Sequence, residues 1–365
     1  MSEIVKLQED TARDAIHRGV QLLADGQLIG LPTETGYVAA ASCQSDSAVG
    51  TLKQLANGEL LTLAIRQGDE ALDFVPGMSS LGQKLLRRCW PGPVTLDYGI
   101  GDAGALGSVT DTVREAIVDN QRLQFRVPQD IVASECLRLS ANPLVFSAEA
   151  VESERVVTAD GLQAAFGDSV SMILDSGETR YDSGSTIVSI REDAWRIERE
   201  GVVTQGMMNR LASTIFLFVC TGNTCRSPMA EGLFRKFLCD RLQCTDDELV
   251  DRGYVVLSAG IAAAHGAPAR SETLDILSER GIDLANHSSQ PVTQQLLNQA
   301  DHIYTMTRHH RDAILLGRPD VADRMKLLSQ DGAEIPDPIG GGMGEYKRCE
   351  AEMECHLQSI VAECD

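Results

Sequence analysis

The sequence has no apolar run long enough to cross a membrane. A transmembrane helix needs about 18 or more consecutive apolar residues, and no segment of the 365-residue chain reaches that length. The first residues, MSEIVK, also lack the basic and then apolar pattern of a signal peptide. From these two absences we expect no membrane span and a location in the cytoplasm.

Basic charge is scarce as well. The chain has 32 Lys and Arg residues against 53 Asp and Glu residues, so its formal net charge is -21, and both halves are acidic. A protein that grips a nucleic-acid backbone by charge needs an excess of basic residues. We therefore expect no stable nucleic-acid binding.

Cysteine is present, but not in the patterns that hold metals. The ten cysteines include no Cys-x-x-Cys pair and no Cys–His zinc pattern, and their spacing is not that of a small secreted disulfide framework. We predict no metal site and expect most cysteines to be small buried apolar residues. This expectation covers Cys43, Cys89, Cys136, Cys239 and Cys244.

The length allows about two domains, and a hydrophobic content of 43% gives each a core of its own. Residues 1–208 alternate strand-like and helix-like segments with Pro and Gly turns, which predicts a mixed α/β domain. Residues 201–212 are predicted to be a connection with little structure. Residues 209–365 alternate strands and helices from a strand at 215–219 onward, which predicts a doubly wound parallel sheet.

The most informative segment, residues 219–231, reads VCTGNTCRSPMAE. Cys220 ends an apolar strand, where doubly wound sheets bind ligands. Gly222 lets the backbone approach a ligand closely, and the loop amides and the helix that opens near Pro228 provide positive charge. Such surroundings activate a thiolate nucleophile, and the guanidinium of Arg226 can bind two phosphoryl oxygens. The pattern therefore indicates a cysteine-dependent phosphatase.

A phosphatase of this kind also needs an acid that protonates the leaving group. Asp337 stands between two prolines in residues 335–341, which read IPDPIGG, and such a rigid loop can reach over a site. Taken alone, the segment is equally typical of an ordinary Pro–Gly surface turn.

These motifs resemble the signature of low-molecular-weight protein tyrosine phosphatases. Four shorter motifs follow in the order of that family: SAG at 258–260, GID at 281–283, AD at 300–301 and DP at 337–338. The resemblance covers nearly all of residues 213–365. It implies that Cys220 attacks phosphorus, that Arg226 holds the transition state, and that Asp337 acts as acid and then as base.

The resemblance further implies that the loop binds the phosphate and that Asn223 and Ser227 order it. The phosphate-binding residues are then Thr221, Gly222, Asn223, Thr224, Cys225 and Ser227. The partner is a phosphorylated protein, and the phosphatase chemistry needs no cofactor.

Two positions bear on the substrate. Thr224 resembles the selectivity residue of the bacterial branch that removes phosphate from arginine. Ile339 and Gly340 stand where phosphotyrosine enzymes of the family often place aromatic residues. Both positions favour phosphoarginine, and the alternative is a tyrosine phosphatase in which Thr224 is a neutral variant. Arsenate reductases share the fold but use a relay of extra cysteines, and none occurs between Cys244 and Cys349.

The first half resembles threonylcarbamoyl-adenylate synthases, the YrdC-like enzymes that begin threonylcarbamoyl-adenosine synthesis for tRNA. The resemblance rests on PTETGY at 32–37, WPGPVTL at 90–96, FRVP at 125–128 and STIV at 185–188. It implies an open α/β domain whose concave, basic pocket takes threonine, bicarbonate and ATP with Mg as substrates. The implied binding residues are Thr33, Thr35, Lys53, Arg126, Ser147, Ser185 and Arg199.

The cations that such chemistry needs opposite a triphosphate are partly missing. Lys53 is kept, but the Arg of the family's Lys-x-Arg pair is lost and a later Lys is replaced within residues 60–62. The family's Ser-Ala-Asn reads Ser147-Ala-Glu149, which places a carboxylate where an amide would face ATP. Two hypotheses follow. One is a phosphatase fused to a synthase-like domain that makes threonylcarbamoyl-AMP. The other is an inactive ligand-sensing or regulatory domain beside a loop that mainly binds anions.

Overall fold

The computed structural model of the protein describes residues 2–8, 10–100, 106, 109–151 and 154–364. The chain forms two compact units, which we call the N-terminal unit (Met1–Met208) and the C-terminal unit (Asn209–Asp365). Both combine helices with a sheet, and the predicted α/β class is confirmed. Within the described ranges, no helix is both long enough and apolar enough to span a bilayer.

The N-terminal unit is built on a mixed sheet. Its strands are β1 Glu3–Lys6, β2 Leu28–Pro32, β3 Tyr37–Ser42, β4 Thr62–Ala64, β5 Val94–Gly99, β6 Val118–Asp119, β7 Arg122–Arg126, β8 Leu144–Phe146, β9 Ala150–Val151, β10 Glu154–Arg155, β11 Val170–Asp175, β12 Thr186–Arg191 and β13 Ala194–Arg199. Its helices are α1 Ala12–Ala24, α2 Asp46–Leu55, α3 Ala71–Phe74, α4 Ser80–Cys89, α5 Asp111–Ile117, α6 Ile131–Leu139 and α7 Ala159–Phe166.

Neighbouring strands of this sheet follow the order β1-β11-β2-β3-β8-β4-β7-β5-β12-β13, with β6 beside β7. The strand directions are mixed: β2 pairs with β3 antiparallel, whereas β4 pairs with β7 parallel. A separate short ladder joins β9 and β10. A mixed sheet of this kind is what an open α/β domain requires.

One core of the N-terminal unit lies between the sheet and the helices α1 and α6. Leu23 of α1 and Leu137 of α6 pack with Ile29 and Leu31 of β2. Helix α6 begins after Asp130, whose carboxylate accepts hydrogen bonds from the amides of residues 132 and 133 at 2.8 and 3.2 Å. This cap satisfies two amides that have no partner inside the helix.

The C-terminal unit has a fully parallel sheet. Its strands are β14 Thr214–Cys220, β15 Tyr254–Gly260, β16 His302–Thr305 and β17 Met325–Leu327, in the spatial order β15-β14-β16-β17. The helices from the border of the two units onward are α8 Gln205–Ala212, α9 Arg226–Leu242, α10 Ser271–Glu279, α11 Gln294–Gln299, α12 Arg308–Gly317 and α13 Met343–Ala362.

Strand β14 explains why this sheet carries helices on both faces. Its side chains alternate between the two faces, as in any strand. Phe216, Phe218 and Cys220 belong to the core formed with α9 and α13. Leu217 and Val219 belong to the other core, formed with α11 and α12. The predicted doubly wound parallel sheet is therefore confirmed. The alternation of side chains along β14 places Cys220 on the side of the sheet that α9 covers.

Two local predictions were wrong. Residues 205–212 form the helix α8 rather than an unstructured connection, because buried packing of Met208 outweighs the low helix propensity of Gly206. Helix α9 begins at Arg226, so Pro228 is its third residue and not its first. A proline is tolerated there because the amides of the first turn have no partner within the helix.

The cysteine prediction holds for only part of the set. Cys89 and Cys136 are buried, whereas Cys43, Cys239 and Cys244 are only partly buried. Cys239 and Cys244 lie at and just beyond the last turn of α9, where the helix runs towards the surface. The burial of each thiol depends on where the cysteine lies within its helix or strand, and the composition does not show that position.

Candidate functional site

Cys220 is the last residue of β14, and its buried thiol lies where the strand meets the following loop. The loop comprises residues 221–225, and α9 follows. The sulfur lies 3.0 Å from Ser227 Oγ and 3.2 Å from the backbone nitrogen of Asn223. Both groups can donate a hydrogen bond to the sulfur, which is the arrangement that a thiolate nucleophile needs.

Asn223 holds the loop in shape. Its φ of 54° lies in the left-handed region, which Asn adopts more readily than most residues. Its side-chain Nδ2 donates to Ser227 Oγ at 2.9 Å and to Ser258 Oγ at 2.8 Å. Its Oδ1 accepts a hydrogen bond from the amide of Gln290 at 2.9 Å. One side chain thereby connects the nucleophile loop to two other segments of the unit.

A second layer of polar residues supports Asn223. Ser258 Oγ donates to the partly buried Glu231 carboxylate at 2.5 Å, and His287 Nε2 lies 2.8 Å from the carbonyl oxygen of Asn223. Burial raises the pKa of Glu231 more than the hydrogen bond from Ser258 and the charge of Arg235 lower it. No role was predicted for these residues from the sequence, although Ser258 and Glu231 stand inside the recognised motifs.

Arg226 and Asp337 meet at the mouth of the loop. Arg226 Nη2 lies 2.5 Å from Asp337 Oδ2, and Nη1 donates to the carbonyl of Ile335 at 3.2 Å. The side chain of Arg226 is 5% exposed and that of Asp337 is 42% exposed. The buried guanidinium of Arg226 therefore faces the loop, while the accessible carboxyl group of Asp337 lies at the outer edge of the loop. The structure thus brings together the three residues that the sequence predicts as catalytic.

His310 is a residue of this site that the sequence did not reveal. Its Nε2 lies 2.9 Å from Thr221 Oγ1 in the loop, and its Nδ1 lies 3.0 Å from Thr307 Oγ1 at the start of α12. Burial, together with the nearby charge of Arg226, lowers the pKa of His310 to about 4. A neutral imidazole therefore holds the first residue of the loop at neutral pH.

The other predicted loop residues have separate surroundings. The carbonyl of Thr224 accepts a hydrogen bond from the amide of Arg270 at 2.9 Å. The Cys225 thiol is buried 3.4 Å from the hydroxyl of Tyr346, and burial raises its pKa. Gly222 has an ordinary φ, and a Cβ there would meet only Thr224 Oγ1 at 3.7 Å. The backbone crowding falls instead on Gly260, which lies directly beneath the loop.

In the N-terminal unit, a cavity of about 50 Å³ gathers four of the predicted binding residues: Arg126, Ser147, Ser185 and Arg199. Lys53 is not among the residues that line it, because its ammonium group donates to the carbonyls of Glu59 and Ala116 at 2.8 and 3.4 Å. Pockets for drug-sized ligands usually have several hundred Å³. In this arrangement the cavity is therefore smaller than such a pocket.

Glu149 is one of the residues that line this cavity. Its carboxylate accepts hydrogen bonds from the side chains of Thr35 and Arg126. It also accepts a hydrogen bond from the backbone amide of Ser185 at 2.8 Å. Burial alone would raise its pKa, but the charge of Arg126 and these hydrogen bonds outweigh burial and lower the pKa to about 2. Predicted binding residues are thus engaged by the chain itself.

Comparison with known families agrees with this division of the chain. Residues 215–365 match the family model described as low molecular weight phosphotyrosine protein phosphatase. Residues 21–201 match the Sua5/YciO/YrdC model, which is described as telomere recombination.

Three curated relatives carry three different names. Over 150 residues the chain is 38% identical to the protein-arginine-phosphatase of Geobacillus stearothermophilus, covering 40% of this chain and 92% of the relative. It is 34% identical over 123 residues to a probable low molecular weight protein-tyrosine-phosphatase, EpsP, of Ralstonia solanacearum, covering 33% and 76%. It is 31% identical over 143 residues to arsenate reductase 2 of Staphylococcus haemolyticus, covering 39% and 92%.

Proposed function

The chain belongs, through residues 215–365, to the low molecular weight phosphotyrosine protein phosphatase family and is a phosphoprotein phosphatase, and we propose that it acts through a phosphocysteine formed on Cys220. One observation carries the proposal. The Cys220 sulfur has two hydrogen-bond donors within 3.2 Å, and the paired Arg226 and Asp337 stand at the same loop.

In the first chemical step, the Cys220 thiolate attacks phosphorus. The S–P bond forms while the bond from phosphorus to the leaving group breaks, and protonated Asp337 gives the leaving group its proton. In the second step, water attacks the phosphocysteine and the Asp337 carboxylate accepts a proton from it. The P–S bond breaks and the thiolate returns. Arg226 binds two phosphoryl oxygens throughout, because its planar guanidinium matches their spacing.

The test is hydrolysis of para-nitrophenyl phosphate by the full chain. Cys220→Ser should show no activity above background, and Asp337→Asn should lose about 10²-fold or more in kcat, the usual contribution of a general acid. Circular dichroism would check that both variants fold. Equal rates for wild type and Cys220→Ser would remove the catalytic proposal and leave a loop that only binds anions.

We further propose phosphoarginine as the preferred substrate. Thr224 offers a hydroxyl group in the loop beside the nucleophile, and Ile339 stands half-exposed after the Asp-Pro motif, where no aromatic ring is present to sandwich a phenol. A guanidinium is polar and gains from a hydrogen-bonding neighbour, whereas a phenyl ring gains from an aromatic one.

The substrate proposal is tested by comparing kcat/KM for phosphoarginine and phosphotyrosine peptides. Thr224→Ile removes the hydroxyl group and keeps the branched side chain. It should therefore lower the ratio of kcat/KM for phosphoarginine to kcat/KM for phosphotyrosine by about tenfold, the effect of one lost hydrogen bond. Thr224→Ser keeps the hydroxyl and should retain the wild-type preference. A ratio that is the same in wild type and both variants would show that Thr224 is a neutral variant, and a wild-type ratio in favour of phosphotyrosine would contradict the substrate proposal.

Arsenate reduction is the weaker alternative. Thiol exchange needs an accessible second thiol close to the nucleophile. Cys225 is buried against Tyr346, Cys349 is buried, and the sequence has no cysteine between Cys244 and Cys349. We therefore expect no thiol-dependent arsenate reduction by the full chain.

For the N-terminal unit we propose a ligand-sensing or regulatory domain that makes no threonylcarbamoyl-AMP. The cavity is smaller than a usual ligand pocket, Lys53 is bound to backbone carbonyls, and Glu149 adds a negative charge to the lining, which opposes the binding of phosphates. The assay is incubation of the full chain with threonine, bicarbonate and ATP, followed by chromatography of the adenylate product. Threonine-dependent formation of that product would restore the synthase hypothesis.

A further inference from the structure

The C-terminal unit has a cavity between α9 and residues 281–290, the segment that follows α10. Its volume is about 580 Å³, which is the size of a pocket for a small-molecule ligand. The lining residues of α9 belong to one face of that helix. Cys220, Arg226 and Asp337 are not among the residues that line the cavity. We call this space the α9 cavity. It is large enough for a ligand and is separate from the catalytic residues.

One wall of the α9 cavity is the layer of side chains that fixes Asn223. Ser258, His287 and Gln290 line the cavity. Ser258 Oγ accepts a hydrogen bond from Asn223 Nδ2 at 2.8 Å, and the Gln290 amide donates to Asn223 Oδ1 at 2.9 Å. The Asn223 amide nitrogen in turn lies 3.2 Å from the Cys220 sulfur. A ligand that contacts this wall is therefore separated from the nucleophile loop by a single layer of side chains.

Another part of the lining is apolar. Ile282 and Leu284 line the cavity and are only partly buried. Covering their remaining exposed surface with an apolar group is favourable. Gly232 of α9 lies beside them, since a Cβ there would be 3.2 Å from both side chains. The apolar part of a ligand can therefore pack against Ile282 and Leu284.

The charged groups of the lining favour a cation. Three carboxylates and two basic side chains line the cavity: Glu231, Asp246, Asp283, Arg235 and Lys236. Both basic groups already have carboxylate partners. Arg235 Nε donates to Asp246 at 2.6 Å, and Lys236 Nζ donates to Asp240 at 2.8 Å. A positively charged ligand would therefore be attracted by the excess of carboxylates, and an anion would be repelled by it.

Glu231 is the carboxylate that a ligand cation would meet at the wall shared with Ser258. Its side chain is 15% exposed, and Oε2 accepts a hydrogen bond from Ser258 Oγ at 2.5 Å. Oε1 lies 3.5 Å from Arg235 Nη1, which is longer than the roughly 2.8 Å of a charge-assisted hydrogen bond. Burial raises the pKa of Glu231 because the nearby positive charge does not offset the loss of water. A cationic group beside Oε1 would supply the missing positive charge.

We propose that the α9 cavity binds small organic cations, with an ammonium or guanidinium group on an apolar stem, and that the bound cation strengthens phosphate binding by the nucleophile loop. The cationic group pairs with Glu231, and the stem packs against Ile282 and Leu284. The positive charge attracts a phosphate group in the loop across the intervening layer. Coupling between two sites is reciprocal, so each ligand tightens the binding of the other. Cation binding itself does not depend on the phosphocysteine mechanism.

The test uses the full chain and cyclohexylmethylammonium as the probe. Cyclohexylmethanol and cyclohexanecarboxylate carry the same ring with a neutral and a negative group, and they serve as controls. Ligand-observed NMR titrations at constant ionic strength give the dissociation constants. We expect about 1 mM or lower for the cation, as is usual for a ligand of this size, and about tenfold weaker binding of both controls. Equal binding of the alcohol, or tighter binding of the carboxylate, would overturn the cation assignment.

Three variants locate the probe. Glu231→Gln keeps an acceptor for Ser258 but loses the charge, so it should weaken cation binding about tenfold, the effect of losing a hydrogen bond to a charged group. Cys239→Phe fills part of the cavity and should prevent binding. Cys244→Phe is the matched control, because Cys244 is also partly buried but does not line the cavity. Circular dichroism checks that each variant folds. Wild-type affinity in either Glu231→Gln or Cys239→Phe would overturn the site, and if one of them does not fold, the other still decides.

Hydrolysis of para-nitrophenyl phosphate tests the effect on the nucleophile loop. With saturating probe, the inhibition constant of inorganic phosphate should fall about threefold, because a nearby cation attracts the anion. An unchanged constant would overturn the coupling. Competitive inhibition by the probe itself would place the probe in the nucleophile loop and overturn the site in the α9 cavity. The NMR titration repeated with inorganic phosphate measures the same coupling without turnover, so the failure of this inference and the failure of the phosphocysteine mechanism remain distinguishable.

Discussion

At the scale of single residues, the chemistry of the C-terminal unit depends on groups that fix one sulfur and one cation. Cys220 is held between Ser227 and the Asn223 amide, and Arg226 is held between Asp337 and the Ile335 carbonyl. A preorganised site loses little energy to rearrangement when a phosphoryl group arrives. Small errors in the position of these groups should therefore cost activity before they cost stability.

His310 provides a pH-dependent test at this scale. Its pKa is about 4 in the folded protein against an ordinary 6.5, so the folded state favours the neutral ring. This stability is fully present above about pH 6.5 and is lost as the pH falls through about 4. His310→Asn cannot titrate, so between pH 6.5 and 4 its stability should fall less than that of wild type, by on the order of 2 kcal/mol.

Hydrogen exchange of peptides from residues 301–317 in the full chain measures this stability across the pH range. Phosphatase activity at pH 7 gives a second readout, because Asn can still bond to Thr221 while His310→Ala cannot. We expect His310→Asn to retain more kcat than His310→Ala. Identical pH profiles of stability for wild type and His310→Asn would show that folding does not change the pKa of His310.

At the scale of secondary structure, the strand β15 supports the nucleophile loop through one small residue. A Cβ on Gly260 would lie 2.5 Å from the carbonyl oxygen of Thr221 and 2.9 Å from the amide of Asn223. Both atoms belong to the backbone of the loop, which cannot move without carrying the donors of the site with it. The end of β15 therefore sets the height of the loop above the sheet.

Gly260→Ala should accordingly damage the site. We expect a loss of about 2 kcal/mol in stability, as is usual for overpacking, and a fall in kcat of at least tenfold. Gly344→Ala in α13 is the matched control, since a Cβ there meets nothing within 4 Å and Ala favours a helix. Chemical denaturation and para-nitrophenyl phosphate hydrolysis give the two readouts. Full activity of Gly260→Ala would mean that the loop shifts without harm.

At the scale of the whole molecule, the chain has separate hydrophobic cores and one dominant charge. The N-terminal unit buries apolar residues of α1 and α6 against its sheet, and the C-terminal unit buries residues on both faces of β14. The formal charge of -21 extends over the sequence of both units. Like charges on a protein and a polyanion repel each other over about 10 Å at 0.1 M salt.

Nucleic-acid binding should therefore be absent under ordinary conditions. We expect fluorescence anisotropy with a labelled DNA duplex to show no binding at up to about 10 µM protein, a range in which non-specific binders do respond. A lysine-rich DNA-binding protein serves as the positive control. Salt-sensitive binding in the low micromolar range would reveal a basic surface that the overall charge conceals.

The sequence by itself determined the features that depend on local spacing. The strand before Cys220, the loop to Arg226 and the placement of Asp337 between prolines lie within short segments, so the apolar run and turn chemistry were enough to predict them. Alternation of strands and helices predicted the parallel sheet in the same way. Local propensity failed at residues 205–212, where burial of Met208 favours a helix.

Only the tertiary structure decided which distant residues share a site. His310 and Gln290 reach the loop from segments more than 60 residues away, and Gly260 is required by the approach of another backbone. The sequence showed Glu149 as a misplaced negative charge. The fold shows that Arg126, Thr35 and Ser185 surround it. Contacts of this kind depend on how elements pack, and spacing along the chain carries no record of that packing.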